Sequence, residues 1–492
     1  MGRVEGKVLG KRRPDLARRF SCAVVGMLVS SATASLCWLV ATLPVSAQVR
    51  EEKLPTDAAL ARLIEQSLAA RPELARASAV VQAQEQQISQ AAALPDPMLQ
   101  IGIQNDTFDS IQIGRMETSF VSFMASQTLP WPGKLELRRK AAELGATQTE
   151  QVVARVRLST EADVRRAYLD LLLSRDRLSL LEQLAGIWEN SLGIARVRYE
   201  AGEGAQSDVL RAQLELTRLK QRRFALLGEA QSRVQALNRL RAHPLNEAIE
   251  TSTHVRELPA LSAFEHHFSA ELALKRSPEL AAARLGITRA GQLVALAEKS
   301  YYPDLSVGAG VMVRGQLPAM WLLTLGGPLP VFSASKQSRA VAENRAWASV
   351  AEHAVVSLEQ TLRLRSEERH TAFTTLLQTI DLYEHGLLVQ SEATTQSTLS
   401  QYQVGKVTFA SVLEANAGFI GDQESYLESV VAAYRVLVAE AETSLNEIPM
   451  PSTAGGTSSM PSARSSSMGS ASPSPAGAGT APAAEGGASS SM

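Results

Sequence analysis

Cysteine is almost missing from this sequence of 492 residues: Cys22 and Cys37 are its only cysteines, and both lie near the N-terminus. If the segment that holds them is removed, the remaining chain contains no thiol. A disulfide framework and a thiolate metal site are then excluded. No charge of one sign dominates either, because 49 lysines and arginines are balanced by 50 aspartates and glutamates. Bulk electrostatic attraction to nucleic acid or to an acidic substrate is therefore not expected.

The common signatures of catalysis and cofactor binding are also missing. The sequence has no phosphate-binding glycine loop, no nucleophile elbow and no His-Glu-x-x-His segment. The adjacent His266 and His267 would point in different directions on a helix, which suits shared metal ligation poorly. We therefore predict that the protein is not an enzyme, and we expect no cofactor, no resident metal ion and no nucleic-acid partner.

Both ends of the chain differ from its body. Basic residues at positions 11–19 precede an uncharged stretch from Phe20 to Val45, and small residues follow at Ser46 and Ala47. This succession predicts a cleaved signal peptide over residues 1–47, with an uncleaved membrane anchor as the alternative. Residues 451–492 are nearly all serine, alanine, glycine, proline and methionine, a composition that predicts a disordered tail.

The body of the chain is internally duplicated. Pro72–Ala75 has the same sequence as Pro278–Ala281, about two hundred residues later. Further along, Tyr199 and Gly202 are matched by Tyr402 and Gly405, and identical residues follow both pairs at the same spacing. We infer that the protein contains two copies of one structural unit.

Proline is absent between Pro132 and Pro244 and again between Pro330 and Pro449. Because proline breaks helix interiors, these stretches are where long helices can form. After Val209, and at the matching positions of the second copy, mainly apolar residues alternate at spacings of four and three. That spacing predicts coiled-coil packing of the helices, so each copy should contain a rod-like hairpin.

Strand patterns lie between the proline clusters. Apolar residues alternate with small or polar residues over 304–313, and a shorter alternation occurs over 98–105. Each copy is predicted to hold one strand pair, 98–105 with 117–127 and 304–313 with 320–329, of a length that suits a tilted membrane-spanning strand. The predicted domains are a signal peptide (1–47), a first repeat (48–255, with strands in 98–127 and a hairpin over 133–250), a second repeat (256–450, with strands in 304–329 and a hairpin over 333–446) and the tail (451–492).

The segment Ser126–Lys134, which reads Ser-Gln-Thr-Leu-Pro-Trp-Pro-Gly-Lys, resembles the strand-to-helix passage of TolC-like outer-membrane efflux proteins. The Tyr-x-x-Gly sequences that close the long helices resemble the periplasmic tips of that family, and Leu329–Phe332 resembles its second passage. The resemblance extends over residues 55–447, with the order and duplication of the family. The sequence of the first passage, Leu-Pro-Trp-Pro-Gly-Lys, resembles that of the heavy-metal branch of the family.

The resemblance implies a mainly α protein with membrane β structure. Each chain would give four strands to a trimeric 12-stranded β-barrel, which continues as a long α-helical coiled-coil tunnel through the periplasm. The function implied is that of an outer-membrane channel subunit in a tripartite efflux system for small molecules or metal ions. The implied partners are two further copies of the chain, a periplasmic adaptor (membrane fusion) protein, an inner-membrane transporter of the RND type and outer-membrane lipid.

Site residues follow from the same resemblance. The tips depart from the family pattern, since Lys406 follows Val404-Gly405 and Ser411 stands where one acid is expected. The expected adaptor contacts are Tyr199, Ala201, Gly202, Tyr402, Val404 and Gly405; the expected periplasmic gate is Asp208 and Glu414; and the expected strand-to-helix passages contain Pro130, Trp131, Pro132, Gly133, Leu329 and Pro330.

Two alternative functions use the same features. A type I protein secretion duct has the same channel architecture, so the sequence does not separate it from an efflux channel. A periplasmic coiled-coil adaptor or structural protein is also exported and also contains long helices. However, an adaptor would need one hairpin flanked by glycine-rich β-domains, whereas this chain has two hairpins and two strand pairs.

Overall fold

The computed structural model describes Leu54, residues 57–251 and residues 253–446. The predicted signal peptide and the predicted tail both lie outside the described residues. All the described residues belong to one compact unit.

Four strands form one antiparallel sheet. They are β1 (Met98–Gln104), β2 (Phe120–Leu129), β3 (Leu305–Arg314) and β4 (Leu317–Gly326), and they lie side by side in that order. The central pair joins the two repeats, because β2 comes from the first repeat and β3 from the second. The edges of the sheet are therefore β1 and β4.

The two faces of the sheet differ in chemistry. In β3 the odd-numbered positions are exposed, whereas the even-numbered positions are buried or half-buried. The exposed side, the outer face, carries leucine, isoleucine, valine, phenylalanine and tryptophan; the less exposed side, the inner face, carries mainly glycine, serine, threonine, glutamine and methionine. Such a division is typical of a barrel wall with lipid outside and water inside.

The helices of the first repeat are α1 (Ala58–Ala70), α2 (Pro72–Ala92), α3 (Lys134–Glu200) and α4 (Gln206–Leu240). With 67 residues, α3 is about 100 Å long at the usual rise per residue. It packs against α2 along one part of its length and against α4 along another, so it is the central helix of the repeat.

The second repeat contains α5 (Ala270–Arg276), α6 (Pro278–Glu298), α7 (Gln337–Leu382), α8 (Leu388–Gln403) and α9 (Phe409–Ala441). Its long helix is interrupted where α3 is continuous, because a π-helical segment at Tyr383–Leu387 separates α7 from α8. Within this segment, Glu384 accepts a hydrogen bond of 2.7 Å from the Tyr426 hydroxyl on α9. Short π segments inside α-helices frequently occur at functional positions.

The main hydrophobic core lies where α3, α4, α7 and α9 meet. Burial of this much apolar surface is the dominant favourable term for the fold. The least exposed large side chains of the core include Tyr168, Leu172, Leu237, Phe373 and Leu437.

One buried and one half-buried ion pair hold the C-terminal end of α9. Arg369 on α7 lies 3.2 Å from the Glu440 carboxylate and also donates to the Ser444 carbonyl oxygen. Arg155 on α3 lies 2.9 Å from Glu442. Because a buried charge without its partner is strongly unfavourable, these pairs define one relative position of the three helices.

Candidate docking and gating site

The turns that end the two long helices have the same geometry. Gly202 and Gly405 have φ angles of 74° and 73°, a left-handed conformation that favours glycine over other residues. The amide of Glu203 donates to the carbonyl oxygen of Arg198 at 2.9 Å, and the amide of Lys406 donates to that of Gln401 at the same distance. The duplication seen in the sequence is therefore repeated in the backbone hydrogen bonds of the turns.

The residues expected to contact an adaptor are not equally accessible. Val404 is 67% exposed and Tyr199 is 46% exposed, while Ala201 is also an exposed residue. Tyr402 is only 3% exposed, although it occupies the position of Tyr199 in the second repeat. Tyr199 is therefore accessible to solvent, whereas Tyr402 is buried.

Arg198 joins the two turns. It is in the last turn of α3, and its guanidinium donates to the carbonyl oxygens of Tyr402 at 2.6 Å and Gln403 at 3.0 Å. The same group donates to the Glu203 carbonyl oxygen in its own turn at 3.2 Å, and it lies 5.2 Å from the centre of the Tyr402 ring. A planar guanidinium can make such bonds in several directions, which an ammonium group does less well.

Sequence reasoning missed Arg198. The signal that could have found it is a failure of the duplication, since Gln401 occupies the matching position in the second repeat.

Asp208 and Tyr402 form a second link between the repeats. The Tyr402 hydroxyl donates to the Asp208 carboxylate at 3.1 Å, which connects the end of α8 to the start of α4. Burial, followed by the neighbouring Asp208 carboxylate, raises the pKa of Tyr402 to about 12. The phenol is therefore protonated at neutral pH and remains a hydrogen-bond donor. The Tyr402 ring also packs against Phe409, with 5.2 Å between ring centres.

Glu414 has a different environment from Asp208. It is exposed on α9, and within the described part of the chain its side chain makes no hydrogen bond or ion pair. Ser411, which matches Asp208 in the second repeat, lies 3.4 Å from the Thr408 hydroxyl instead of contacting a tyrosine. The two repeats therefore contribute unequal groups near their turns.

The first strand-to-helix passage is held by Asp304, just before β3. The Asp304 carboxylate accepts hydrogen bonds from the Trp131 amide at 2.9 Å and from the Lys134 ammonium group at 2.7 Å. Trp131 stacks on Tyr302 with 5.1 Å between ring centres. Within this passage Pro130 is half-buried, Pro132 is exposed and Gly133 caps the N-terminus of α3.

The second passage is more open. Leu329 is 76% exposed, and its carbonyl oxygen accepts from the Val331 amide at 2.9 Å. Pro330 is half-buried, and α7 begins only at Gln337. The structure thus gives the two passages different packing although their sequences correspond.

In residues 57–251 and 253–446, no group of three or more histidine, cysteine, aspartate or glutamate side chains is placed to hold a metal ion. None of the described helices is both long enough and apolar enough to cross a bilayer.

A small antiparallel sheet with one apolar face, joined to long helices of which α3 extends about 100 Å, with a glycine turn at the same place in each repeat, defines the class of outer-membrane channels with a helical periplasmic tunnel. The sequence match is more specific. The model of the outer membrane efflux protein family matches residues 63–243 and 270–441. The chain belongs to this family.

Similar proteins agree with this assignment. The chain is 24% identical over 354 residues to the cobalt-zinc-cadmium resistance protein CzcC of Cupriavidus metallidurans. The aligned region covers 71% of this chain and 80% of CzcC. Among solved structures, the outer-membrane channel OprN has a TM-score of 0.67 at 17% identity, with 79% of this chain and 90% of OprN covered. The outer membrane protein VceC of Vibrio cholerae has a TM-score of 0.66 at 17% identity, with 79% and 96% covered.

The protein is therefore an outer-membrane efflux channel subunit and not an enzyme. Members of the family work as trimers in tripartite systems with an adaptor and an inner-membrane pump. The predicted fold class, the barrel and tunnel architecture, and the location in the outer membrane with extension into the periplasm are confirmed. The adaptor alternative is wrong, because a channel family matches both repeats.

Proposed function

We propose that this subunit forms the exit duct of a heavy-metal efflux system driven by an inner-membrane transporter of the RND type. The observation that carries the substrate class is the similarity to a cobalt-zinc-cadmium resistance protein over most of both chains. The outer face of the sheet, with exposed Leu99, Ile101 and Trp321, suits contact with outer-membrane lipid.

Deletion of the gene tests the substrate class. Growth should become sensitive to cobalt, zinc or cadmium salts, while sensitivity to dyes and detergents should stay near that of the parent. Sensitivity to dyes and detergents alone would contradict a metal duct. Loss of a secreted protein from the medium, with unchanged metal sensitivity, would favour the type I secretion alternative.

We propose that both turns dock against the periplasmic adaptor. Val197, Tyr199 and Val404 are 66%, 46% and 67% exposed around the turns, so apolar surface is available there for a partner. Because Arg198 bonds to carbonyl groups of both turns, the two turns are held as one surface instead of moving separately. Arg198 is in this respect a positioning residue.

Val404→Glu tests the docking surface. The added charge should weaken adaptor binding by about tenfold or more, since a charge at an apolar interface is costly to desolvate. Val80→Glu is the matched control: Val80 is 45% exposed on α2, a helix that packs near residues 150–163 of α3, far along that helix from the turn. Binding by purified trimers to immobilised adaptor measures the effect. Equal losses in the two variants would contradict docking at the turns.

We propose that Asp208 and Glu414 form the periplasmic gate. Threefold symmetry turns each position into a ring of three carboxylates, which can bind cations and set ion selectivity. The hydrogen bond between Tyr402 and Asp208 supports a closed state, because it fastens the second-repeat hairpin to the first close to the turns. Opening would break this bond in each protomer.

The double variant Asp208→Ala with Glu414→Ala tests the rings. Single trimers in planar bilayers should show higher conductance and weaker block by divalent cations. Glu182→Ala is a control that removes an exposed carboxylate from α3, at a position well before the turn. Conductance and cation block equal to those of the parent would remove the gate proposal, while the channel assignment would stand.

A further inference from the structure

Methionine has an unusual distribution in this protein. Within residues 57–251 and 253–446, every methionine lies in a strand or in the loop between β1 and β2, and no described helix contains one. The loop methionine is Met116. The strand methionines are Met98, Met124, Met312 and Met320.

The four strand methionines share one face of the sheet. The pairing register places Met98 opposite Ser126, Met124 opposite Gly310, and Met312 opposite both Ser122 and Met320. All of these positions belong to the inner face. Hydrophobicity alone would place methionine with the leucine and valine residues of the outer face, so a preference for lipid does not explain the pattern.

The register also makes the four residues consecutive neighbours. Met312 and Met320 are directly opposite each other on β3 and β4. Met124 is diagonal to Met312, since its direct partner is Gly310, and Met98 is diagonal to Met124 through Ser126. Directly opposite Cβ atoms are about 5 Å apart and diagonal ones about 7–8 Å, within reach of long side chains. One methionine from each strand thus forms a diagonal row across the whole sheet.

A glycine lies directly opposite Met124 in this row. This residue is Gly310, and a Cβ atom added to it would lie 2.8 Å from the Phe123 carbonyl oxygen, so the close approach of the two strands leaves no room for a side chain there. Because glycine has no side chain, Met124 faces no side chain directly across on β3, and its diagonal neighbour on that strand is Met312. Met312 is half-buried, whereas Met320 is 46% exposed.

The chemistry of the inner face favours one class of metal ion. Thioether sulfur is a soft ligand that favours Cu(I) and similar soft ions, whereas Zn²⁺, Co²⁺ and Mg²⁺ use nitrogen, oxygen or thiolate ligands. The inner-face positions of the four strands carry no carboxylate and no histidine, and their single charged residue is Arg314 at the end of β3. An oxygen-seeking cation finds no anionic ligand on these strands.

We propose that Met98, Met124, Met312 and Met320 form a thioether row that binds soft monovalent cations, Cu(I) or Ag(I), on the inner wall of the barrel. The directly opposed pair Met312 and Met320 is the strongest site, because both sulfur atoms can approach one ion. A trimer contains three such rows, one on each protomer. This site goes beyond the proposed function, because Cu(I) and Ag(I) differ from the cobalt, zinc and cadmium ions that the deletion test uses.

Full-length trimers in detergent test the site without adaptor or transporter. Silver nitrate is titrated in chloride-free buffer, and bound silver is measured by calorimetry and by metal analysis after desalting. The triple variant Met124→Leu, Met312→Leu, Met320→Leu keeps nearly the same side-chain volume and removes the sulfur atoms. Silver affinity should fall by about tenfold or more. Zinc binding should be the same in the two proteins.

Two further variants make the result specific. Met116→Leu removes a thioether outside the row and should bind silver as the parent does. Leu322→Met adds a thioether to the inner face next to Met320 on β4 and should increase the silver bound. If the triple variant does not form trimers, Met312→Leu alone, which breaks the direct pair, is compared with Met116→Leu.

The outcomes separate this site from the proposed function. No silver binding by the parent, or equal binding by the parent and the triple variant, would overturn the thioether row. Silver binding that depends on the row, found together with a gene deletion that leaves metal sensitivity unchanged, would keep the row and reject the heavy-metal duct.

Discussion

Replacing Tyr402 by phenylalanine removes one hydroxyl group and changes little else. The ring is 3% exposed, it packs at 5.2 Å from the Phe409 ring, and the Arg198 guanidinium lies 5.2 Å from its centre. Phenylalanine preserves all of this apolar packing. Only the hydrogen bond to Asp208 is lost, so the variant isolates the link between the two hairpins.

The size of the effect follows from the kind of bond. A hydrogen bond to a charged acceptor contributes about 1.5–3 kcal/mol. Asp208 is half-buried and water can replace the lost donor, so the lower end of that range applies. About 1.5 kcal/mol changes the ratio of closed to open hairpins by about tenfold in each protomer. If the three bonds act independently, the trimer changes by about a thousandfold at most.

Single-channel recording in planar bilayers measures this ratio. The Tyr402→Phe trimer should spend more time at high conductance than the parent. Because the pKa of Tyr402 is raised to about 12, the parent should behave alike at about pH 7 and about pH 9, as the phenol remains a donor throughout.

Tyr199→Phe is the matched control. Tyr199 occupies the same place in the first repeat, but it is 46% exposed and its hydroxyl makes no hydrogen bond within the described part of the chain. The conductance of the Tyr199→Phe trimer should equal that of the parent. Unchanged conductance in Tyr402→Phe, together with a lower melting temperature, would refute the reasoning, since the hydroxyl would then stabilise the fold without controlling opening.

Three further predictions concern the turn, a histidine and a buried ion pair. Gly405→Leu should abolish efflux but leave trimers in the membrane, because its φ of 73° is unfavourable for leucine; resistance assays and membrane immunoblots measure the two effects. The hydrogen bond to Asp176 raises the pKa of His254, so this bond stabilises the fold fully below about pH 6.5 and less as pH rises through the raised pKa. The melting-temperature difference between the parent and His254→Gln should therefore be larger at about pH 5.5 than at about pH 9. A constant difference would contradict this. Glu440→Gln should destabilise the protein by about 3–5 kcal/mol in urea unfolding, since the buried Arg369 would lose the carboxylate that it contacts, and a change within error of zero would show that the pair is dispensable.

Local patterns in the sequence predicted many of the helices and strands. Proline placement and apolar spacing are properties of neighbouring residues, and they pointed to long helices and to strands of alternating character. The class of protein, its fold and its location were implied by the resemblance to TolC-like outer-membrane efflux proteins, and they are confirmed. The site residues and the domain boundaries remain predictions.

The packing of particular residues could not be read from those patterns. Tyr199 and Tyr402 stand in the same Tyr-x-x-Gly motif, yet one is exposed and the other is buried against Asp208. The π-helical segment at Tyr383–Leu387 breaks a helix that the first repeat keeps continuous. Tyr402 contacts Asp208 on α4, and Glu384 of the π-helical segment contacts Tyr426 on α9, and no short window of sequence contains either contact.

The sequence by itself determined the repeated unit, its helices and strands, and the alternation that divides each strand between two faces. Only the tertiary structure decided which residues become neighbours across those elements. Asp304 meets Trp131 and Lys134, and Met124 falls between Met98 and Met312, because strand register and helix packing join positions far apart in the chain. Periodicity is set by the geometry of a single element, whereas register is set by the pairing of two elements.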